Sequence, residues 1–190
     1  MTSSLPSVSV IVVSWNRPDD LRRCLMALQQ QDHPALELVL VADAESGGRA
    51  FNAMRAAGWP ARFAANPGGN ISVARNIGLG LARGEVVAFI DDDAMAEPTW
   101  ARRLATAFAD PAVVAATGYT LGRNGISLQW GAVEVDATGL DHPLPLTDQT
   151  QIHAGTSGGA VKPVTEGIIK AEGLTWYQVV VALMKVSDES

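Results

Sequence analysis

Three consecutive aspartates, Asp91, Asp92 and Asp93, end the stretch of residues 85–93, whose apolar run covers residues 86–90. A run this short, with Gly84 before it and acids after it, predicts a fully buried strand that leaves the sheet at the aspartates. Carboxylates packed side by side repel one another, and a hard divalent cation relieves that repulsion while using their oxygens as ligands. Alternate residues of an extended chain point to the same side, so Asp91 and Asp93 are the predicted metal ligands.

A second interpretation of the aspartates needs no metal. One of them would cap the helix that is predicted to begin near Glu97 and Pro98, and the other two would be solvated. Because capping uses only one acid, the metal interpretation accounts for more of the sequence. A pyrophosphate would supply the oxygen ligands that two carboxylates leave open.

Three further residues stand where predicted strands end or helices begin. Trp15, in the loop after the first strand, offers an aromatic face for a base or ring, although it could equally pack against the sheet edge. Asp43 ends the second strand, where it would contact a ligand or form a turn. Arg75, near a helix start, would contact an anion or pair with a surface acid.

Apolar runs and helical stripes alternate along the first 120 residues. Strands are predicted at 8–13, 36–42, 61–65, 85–90 and 112–117, and helices at about 18–28, 48–57, 72–83 and 98–109. This order predicts an α/β fold with a mostly parallel sheet and helices on both faces. Ligands of such sheets bind outside the carboxyl ends of the strands, which is the edge that carries all the candidate residues.

Some local features are specific enough to compare with a structure. Asn16 is predicted to cap the first helix, and the glycines at 47 and 48 to loosen the turn before the second. In the third helix, Val73, Ile77 and Leu81 recur at helical spacing and form the predicted buried stripe.

The chain has 190 residues, a formal net charge of −6 and a single cysteine, Cys24. That length fits one domain, and an acidic chain without a basic face is not a general nucleic-acid binder. One cysteine allows no disulfide framework and favours a reducing compartment. Residues 1–6 are too short and polar for a signal peptide, and no apolar run reaches the roughly 18 residues of a membrane span. A cytoplasmic protein without a transmembrane segment is expected, with peripheral membrane contact left open.

Several other ligand-binding patterns are missing from the sequence. No Gly-x-x-x-x-Gly-Lys-Ser/Thr segment accompanies the acid-ending strand, as it would in a P-loop enzyme. The turn after the first strand begins at Ser14 and contains no Gly-x-Gly-x-x-Gly motif. It also lacks the Gly-rich loop with Arg or Lys that is typical of a sugar nucleotidyltransferase. His33, His142 and His153 are too scattered for a zinc site.

Taken together, the motifs resemble the family 2 glycosyltransferases of the GT-A fold. The resemblance covers roughly residues 7 to 120 and rests on the order and spacing of 8–18, Asp43, 74–79, 82–85 and 89–93, followed by Pro98. It implies an inverting transfer of a sugar from a nucleotide-diphosphate donor to a glycan or glycoconjugate acceptor. It also implies that Mg²⁺ or Mn²⁺ bridges the aspartates and the diphosphate.

The resemblance implies a role for each candidate residue outside the aspartate triplet. Trp15 would lie against the base of the nucleotide. Asp43 would contact the nucleoside, and Arg75 would line the donor site.

The Asp-x-Asp motif of the family corresponds to the aspartate triplet. Within it, Asp91 and Asp92 would contact the donor, and Asp93 is the favoured direct metal ligand. The metal would stabilise the charge on the departing diphosphate. A carboxylate base would deprotonate the acceptor hydroxyl from the opposite side of the sugar.

The chain departs from the family pattern in two places. Ala44 stands where family members commonly carry an acid or Asn, which bears on the nucleotide preference. Beyond a start at 165–167, the segments that usually complete the acceptor side are not recognisable. Residues 1–125 are therefore predicted to form the donor-binding half, and residues 126–190 a partial or divergent acceptor-side segment of the same domain. No general base can be named among the available carboxylates, Asp136, Asp141, Asp148, Glu166 and Glu172.

A metal-dependent glycosyltransferase is the function that these motifs predict. The alternative is a nucleotide-sugar binding module without turnover, because the base-bearing region is not recognisable. Hydrolysis of the donor, or transfer of its sugar, separates the two.

Overall fold

The computed structural model describes residues 5–66, 68, 70–109, 113–117, 120–121, 128–130, 133–135, 141–143, 152–156, 161–165 and 183–185. Helices and strands alternate through the first part of the chain: β1 (Val8–Val13), α1 (Pro18–Leu28), β2 (Leu36–Ala42), α2 (Ser46–Ala56), β3 (Ala61–Ala65), α3 (Ile71–Leu81), β4 (Val86–Asp91) and α4 (Trp100–Ala107). Strands follow: β5 (Val113–Thr117), β6 (Thr120–Leu121), β7 (Leu128–Trp130), β8 (Val133–Val135), β9 (Asp141–Pro143), β10 (Ile152–Thr156), β11 (Val161–Thr165) and β12 (Leu183–Lys185).

The main sheet has the strand order β11-β10-β5-β12-β4-β1-β2-β3. Its parallel part consists of β4, β1, β2 and β3, each hydrogen-bonded to the next. β12 pairs antiparallel with both β4 and β5, while β6–β7 and β8–β9 form two small antiparallel sheets. Four neighbouring parallel strands flanked by helices confirm the predicted fold class.

The central parallel strands are buried on both faces, which explains their nearly continuous apolar sequences. On one face, alternate residues of β1 join a cluster with α1, α2 and α4, and Trp100 is its largest fully buried side chain. On the other face, Ile11, Val39 and Val87 form a smaller cluster, against which Leu79 of α3 packs. The sheet is therefore the middle of three layers.

α3 approaches the sheet more closely than its sequence predicts. Its buried residues are Ala74 and Gly78, whereas Val73 is 45 % exposed and the rest of the predicted stripe is half-buried. A Cβ on Gly78 would lie 2.6 Å from Cγ2 of Ile11. The predicted stripe is wrong at Val73, whereas Leu81 does pack against the Ile11 cluster. Small residues line the closest approach of the helix, which lies against the Ile11 side chain of β1.

Two helix starts also differ from the prediction. Asn16 does not cap α1: its φ of 55° is left-handed, a conformation that Asn tolerates better than most residues, and Arg17 is the residue before the helix. The glycines at 47 and 48 lie within α2, which begins at Ser46.

Among the helices that the structure describes, none is long and apolar enough to cross a membrane.

A hydrogen-bond network joins the amino ends of β1 and β2 to the turn before β4. Ser9 Oγ and the Arg83 backbone N–H both donate to Glu37 Oε1, at 2.6 Å and 2.8 Å. Arg62 Nε donates to Glu37 Oε2 at 3.1 Å. Burial acts to raise the pKa of Glu37, but these hydrogen bonds and the Arg62 charge outweigh it and lower the pKa below its ordinary value.

The close approach of α3 predicts opposite effects for the same substitution at two glycines of that helix. Gly80→Ala introduces a Cβ that meets no atom within 4 Å, so it should stabilise the fold by up to about 1 kcal/mol through helix propensity. Gly78→Ala gains the same propensity but must displace the buried, β-branched Ile11, and should destabilise by about 1–3 kcal/mol. Urea denaturation measures both, and equal effects would contradict the packing argument.

The network at Glu37 predicts a pH dependence of stability. Because the folded-state pKa is lowered, its contribution is fully present above the ordinary glutamate pKa of about 4.3 and is lost as pH falls through the folded-state value. Glu37→Gln should flatten the decline of the unfolding free energy between roughly pH 5 and pH 3. Glu45→Gln, which removes an exposed ion pair with Arg49 on α2, is the control and should keep the wild-type decline.

Candidate functional site

The parallel strands bring the predicted site residues to one edge of the sheet. Val13, the last residue of β1, pairs with Val41 of β2 on one side and with Asp91 of β4 on the other. The loops that follow these three strands therefore start side by side. Trp15 and Asp43 lie in two of these loops, and the aspartate triplet continues β4 into the third.

Asp92 is the buried member of the triplet. It is 6 % exposed, and both of its carboxylate oxygens are engaged. Ser14 Oγ, just after β1, donates to Oδ2 at 2.7 Å, and Arg17 Nη1 donates to Oδ1 at 3.1 Å. A buried carboxylate needs such partners, so Asp92 ties the end of β4 to the loop between β1 and α1.

Asp91 and Asp93 are more exposed, and each contacts one arginine. Arg17 Nη1 lies 3.2 Å from Oδ2 of Asp93, and Arg75 Nη2 lies 3.4 Å from Oδ1 of Asp91. The pKa of Asp91 is raised, chiefly because the carboxyl is partly buried. The charge of Arg75 opposes this effect, and the charges of Asp93 and Asp92 add to it. The aspartates raise the pKa of Arg17, chiefly through the hydrogen bond with Asp92. Negative charge at the triplet is thus only partly compensated.

The chain leaves the extended conformation at the triplet. β4 ends at Asp91, and the Ala94 N–H donates to the Asp91 carbonyl at 3.0 Å, which closes a turn. Because the triplet is not extended throughout, Asp92 and Asp93 both contact the same guanidinium, that of Arg17. The alternative interpretation, that an aspartate caps the next helix, is wrong: α4 begins at Trp100, and Gln31 Oε1 accepts a hydrogen bond from its Ala101 N–H at 2.9 Å.

Trp15 lies against the loop after β3 and remains 46 % exposed. A Cβ on Gly68 would lie 3.3 Å from two atoms of the indole ring, and the φ of Gly68 is +89°. Asn66 Oδ1 accepts a hydrogen bond from the Gly68 N–H at 3.0 Å, which holds that turn. The tryptophan thus packs on a glycine through part of its ring and keeps a large apolar surface available.

Asp43 does form the turn that its sequence context allows. Its carboxylate accepts hydrogen bonds from the Ser46 N–H at 2.8 Å, from Ser46 Oγ at 2.6 Å and from the Asn16 N–H at 3.3 Å. The hydrogen bond with Ser46 Oγ is the main reason why the pKa of Asp43 is lowered. Asp43 therefore joins the loops after β1 and β2, and a ligand contact by this residue stays a prediction.

Arg75 was predicted either to contact an anion or to pair with a surface acid. It pairs with an acid, and that acid is Asp91 of the triplet. Besides its contact with Asp91, its guanidinium carbon lies 5.7 Å from the ring centroid of Phe89. The α3 helix that presents it is capped by Asn70, whose Oδ1 accepts from the Ser72 N–H at 2.8 Å. Arg75 is thereby held near the acids with part of its charge exposed.

The predicted metal pair, Asp91 and Asp93, stays a prediction. Within the part of the chain that the structure describes, no group of three or more His, Cys, Asp or Glu side chains is arranged to hold a metal ion. Carboxylate oxygens are nevertheless the donors that hard divalent cations take. Any metal here would need further oxygens from a ligand.

Sequence reasoning missed three residues of this edge, namely Ser14, Arg17 and Asn66. Ser14 and Asn66 each follow a strand directly, which is the position that singled out Asp43. Arg17 precedes a helix that begins beside three acids. Their positions at the ends of strands and helices could have identified these three residues as candidates. Their hydrogen-bond partners could not be predicted, because these depend on which strands are neighbours in the sheet.

The predicted acceptor side is largely outside the described residues. The boundary between residues 125 and 126 lies there, as do the candidate bases Asp136, Asp148, Glu166 and Glu172. Asp141 is the first residue of β9. The division into a donor-binding half and an acceptor-side segment stays a prediction.

The model of the family described as glycosyl transferase family 2 matches residues 9–159. The match begins in β1 and includes every residue of the edge described above. It extends beyond residue 120, where the sequence resemblance ends.

Three known proteins illustrate the similarity. The uncharacterized glycosyltransferase YibD of Escherichia coli is 34 % identical over 112 residues, covering 56 % of this chain and 31 % of YibD. A mannosyltransferase from Pyrobaculum calidifontis, solved with GDP-Man and Mn²⁺, is 29 % identical with a TM-score of 0.52, covering 60 % of this chain and 35 % of that one. S. aureus TarS 1-349, solved with UDP-GlcNAc, is 25 % identical with a TM-score of 0.51. This similarity covers 57 % of this chain and 33 % of that one. The chain spans about a third of the length of each.

The contrast between buried and exposed aspartates predicts different costs for one charge-neutralising substitution. Asp92→Asn should destabilise the fold by about 1–3 kcal/mol, because it weakens the buried hydrogen bond with Ser14 and the part-buried one with Arg17. Asp93→Asn removes the same charge one residue away and should change the unfolding free energy by no more than about 0.5 kcal/mol. Thermal and urea unfolding check this, and equal costs would mean that Asp92 does not tie β4 to β1.

Proposed function

The chain belongs to glycosyl transferase family 2, and from that premise we propose that it transfers a sugar from a nucleotide-diphosphate donor to a glycan or glycoconjugate acceptor, with inversion at the sugar. One observation carries the proposal. An exposed aromatic ring, two arginines and three acids meet at the carboxyl edge of four parallel strands, where ligands of α/β sheets bind. These are the groups that a base, a diphosphate and a cation require.

The aspartates fit a divalent cation by the chemistry of their donors. Asp91 and Asp93 present hard oxygen ligands, and the partly compensated charge at the triplet favours a cation. Asp91 and Asp93 would hold Mg²⁺ or Mn²⁺, and a bound donor diphosphate would supply further oxygen ligands. When bound, the ion supplies Lewis-acid stabilisation of the leaving diphosphate.

The protein's own groups then divide the work of binding the donor. The exposed part of the Trp15 ring stacks on the base, and Asp43 contacts the nucleoside beside it. Arg75 donates to the diphosphate, which accepts charge-assisted hydrogen bonds from a guanidinium. Asp92 was predicted to touch the donor, but its burial and its two partners favour a supporting role.

The acceptor side belongs to the proposal as well. Residues 126–190 would contribute to the acceptor site, and one carboxylate would act as the base that removes the proton of the acceptor hydroxyl. The buried, unpaired Cys24 fits a reducing compartment and a cytoplasmic location. A role in polysaccharide biosynthesis follows from the acceptor class proposed.

The proposed metal ligands predict how nucleotide binding depends on Mn²⁺. UDP and GDP are titrated calorimetrically with and without Mn²⁺, since nucleotides of both kinds occur in the similar structures. Asp91→Asn and Asp93→Asn should each reduce the Mn²⁺-dependent gain in affinity by at least about tenfold. The reason is that each removes one of only two protein ligands.

Asp32→Asn is the matched control for that experiment. It removes the same charge from an exposed acid that pairs with Arg102, beyond the opposite end of the sheet, and should bind nucleotide like the wild type. Undiminished Mn²⁺ dependence in both triplet variants would overturn the metal assignment. Release of UDP or GDP from a bound sugar nucleotide then separates transfer from binding without turnover.

A further inference from the structure

The Arg17 guanidinium contacts two neighbouring aspartates through a single nitrogen. Nη1 lies 3.1 Å from Oδ1 of Asp92 and 3.2 Å from Oδ2 of Asp93. The two carboxylates differ in their surroundings: Asp92 is buried and held by Ser14 through its other oxygen, whereas Asp93 is exposed. Arg17 is therefore anchored on its buried side and open to exchange on the other.

The contact with Asp93 opposes a metal at the same carboxylate. A carboxylate oxygen that accepts from a guanidinium gives less of its charge to a second cation, and the two cations repel each other. Arginine stays protonated in proteins, so this competition does not vanish at any ordinary pH. A divalent ion that binds Asp93 therefore competes with Arg17 for the charge of that carboxylate.

We propose that Arg17 is a resident counter-ion for Asp93, tethered by Asp92, which keeps metal binding weak until the donor arrives. The inference rests on the proposed function, because it requires a metal and a diphosphate at this edge. Diphosphate oxygens accept guanidinium hydrogen bonds, so Arg17 can leave Asp93 for the donor without losing its partner. Metal and nucleotide then bind with positive coupling, each increasing the affinity of the other.

Arg17 has two successive partners in this scheme, first Asp93 and then the donor diphosphate. Without nucleotide, the ion pair between Arg17 and Asp93 protects the exposed carboxylate from free metal. With nucleotide, the same guanidinium becomes a phosphate contact. Arg75, which reaches Asp91 from α3, has no second carboxylate partner among the described residues.

Direct Mn²⁺ binding tests the proposal without measuring turnover. The affinity of the full chain for Mn²⁺ is measured by electron paramagnetic resonance, alone and with saturating UDP or GDP. Arg17→Gln should tighten Mn²⁺ binding without nucleotide by about two- to fivefold, the factor that corresponds to an exposed ion pair. It should also reduce the factor by which nucleotide strengthens Mn²⁺ binding. Arg17→Lys, which keeps the charge, should restore most of the wild-type behaviour.

Two further variants keep the test decisive. Arg22→Gln removes the same charge from the exposed side of α1, where the guanidinium contacts Met26, and should leave Mn²⁺ binding unchanged. Arg17→Met keeps the apolar stem and gives the same readout if the glutamine variant does not fold.

The outcomes separate this proposal from the proposed function. If wild-type Mn²⁺ binding is strengthened by nucleotide but the Arg17 variants match it, the counter-ion role is overturned and the proposed function stands. If Arg22→Gln tightens Mn²⁺ binding as much as Arg17→Gln, net charge explains the effect and the counter-ion role is again overturned. If the wild type binds no Mn²⁺ with either nucleotide, the metal assignment and the counter-ion role are both overturned, while release of UDP or GDP from the donor still tests the transfer itself.

Discussion

Negative charge at the exit of a buried central strand is the constraint on which this edge of the molecule depends. β4 lies between β12 and β1 in the sheet, so its interior is apolar and its acids gather at one end. Three adjacent carboxylates repel one another, and they persist only where neighbouring elements supply positive charge or hydrogen bonds. The elements that do so are those next to β4, namely the loop after β1 and the start of α3.

The two faces of the sheet give the acids different partners. Along β4, Phe89 and Asp91 are alternate residues, and α3 brings Arg75 to both of them. Asp92 follows in the turn and meets Ser14 and Arg17 instead, at the start of α1 on the opposite face. One acid is thereby fixed inside the protein, while its two neighbours keep exposed oxygens. A ligand that brings a cation can replace the weaker, exposed contacts and leave the buried one intact.

Most of the framework could be predicted from the sequence, because buried strands and helical stripes are local patterns. The strands ending at Val13 and Ala42 were predicted with their observed bounds, and β4 within one residue at each end, and with them the edge that gathers the acids. The partners of those acids could not be predicted, since they depend on which strands are neighbours in the sheet. Arg17 and Asp92 are 75 residues apart in sequence, and no local pattern connects them. The prediction of Asn16 as the cap was also wrong: Asn16 adopts a left-handed backbone conformation, and the helix begins one residue later than a cap at this position would give.

The error in α3 shows how packing, more than hydrophobic pattern, sets the position of a functional side chain. A helix with a stripe of large apolar residues would stand away from the sheet by the thickness of those side chains. With Ala74 and Gly78 on its inner face, the backbone of α3 lies directly against the Ile11 side chain of β1. Arg75 directly follows one of these small residues, so its guanidinium reaches Phe89 and Asp91 at the sheet edge. Small residues in the helix therefore place a cation beside the acids, and the exposed Val73 and Ile71 follow from the same geometry.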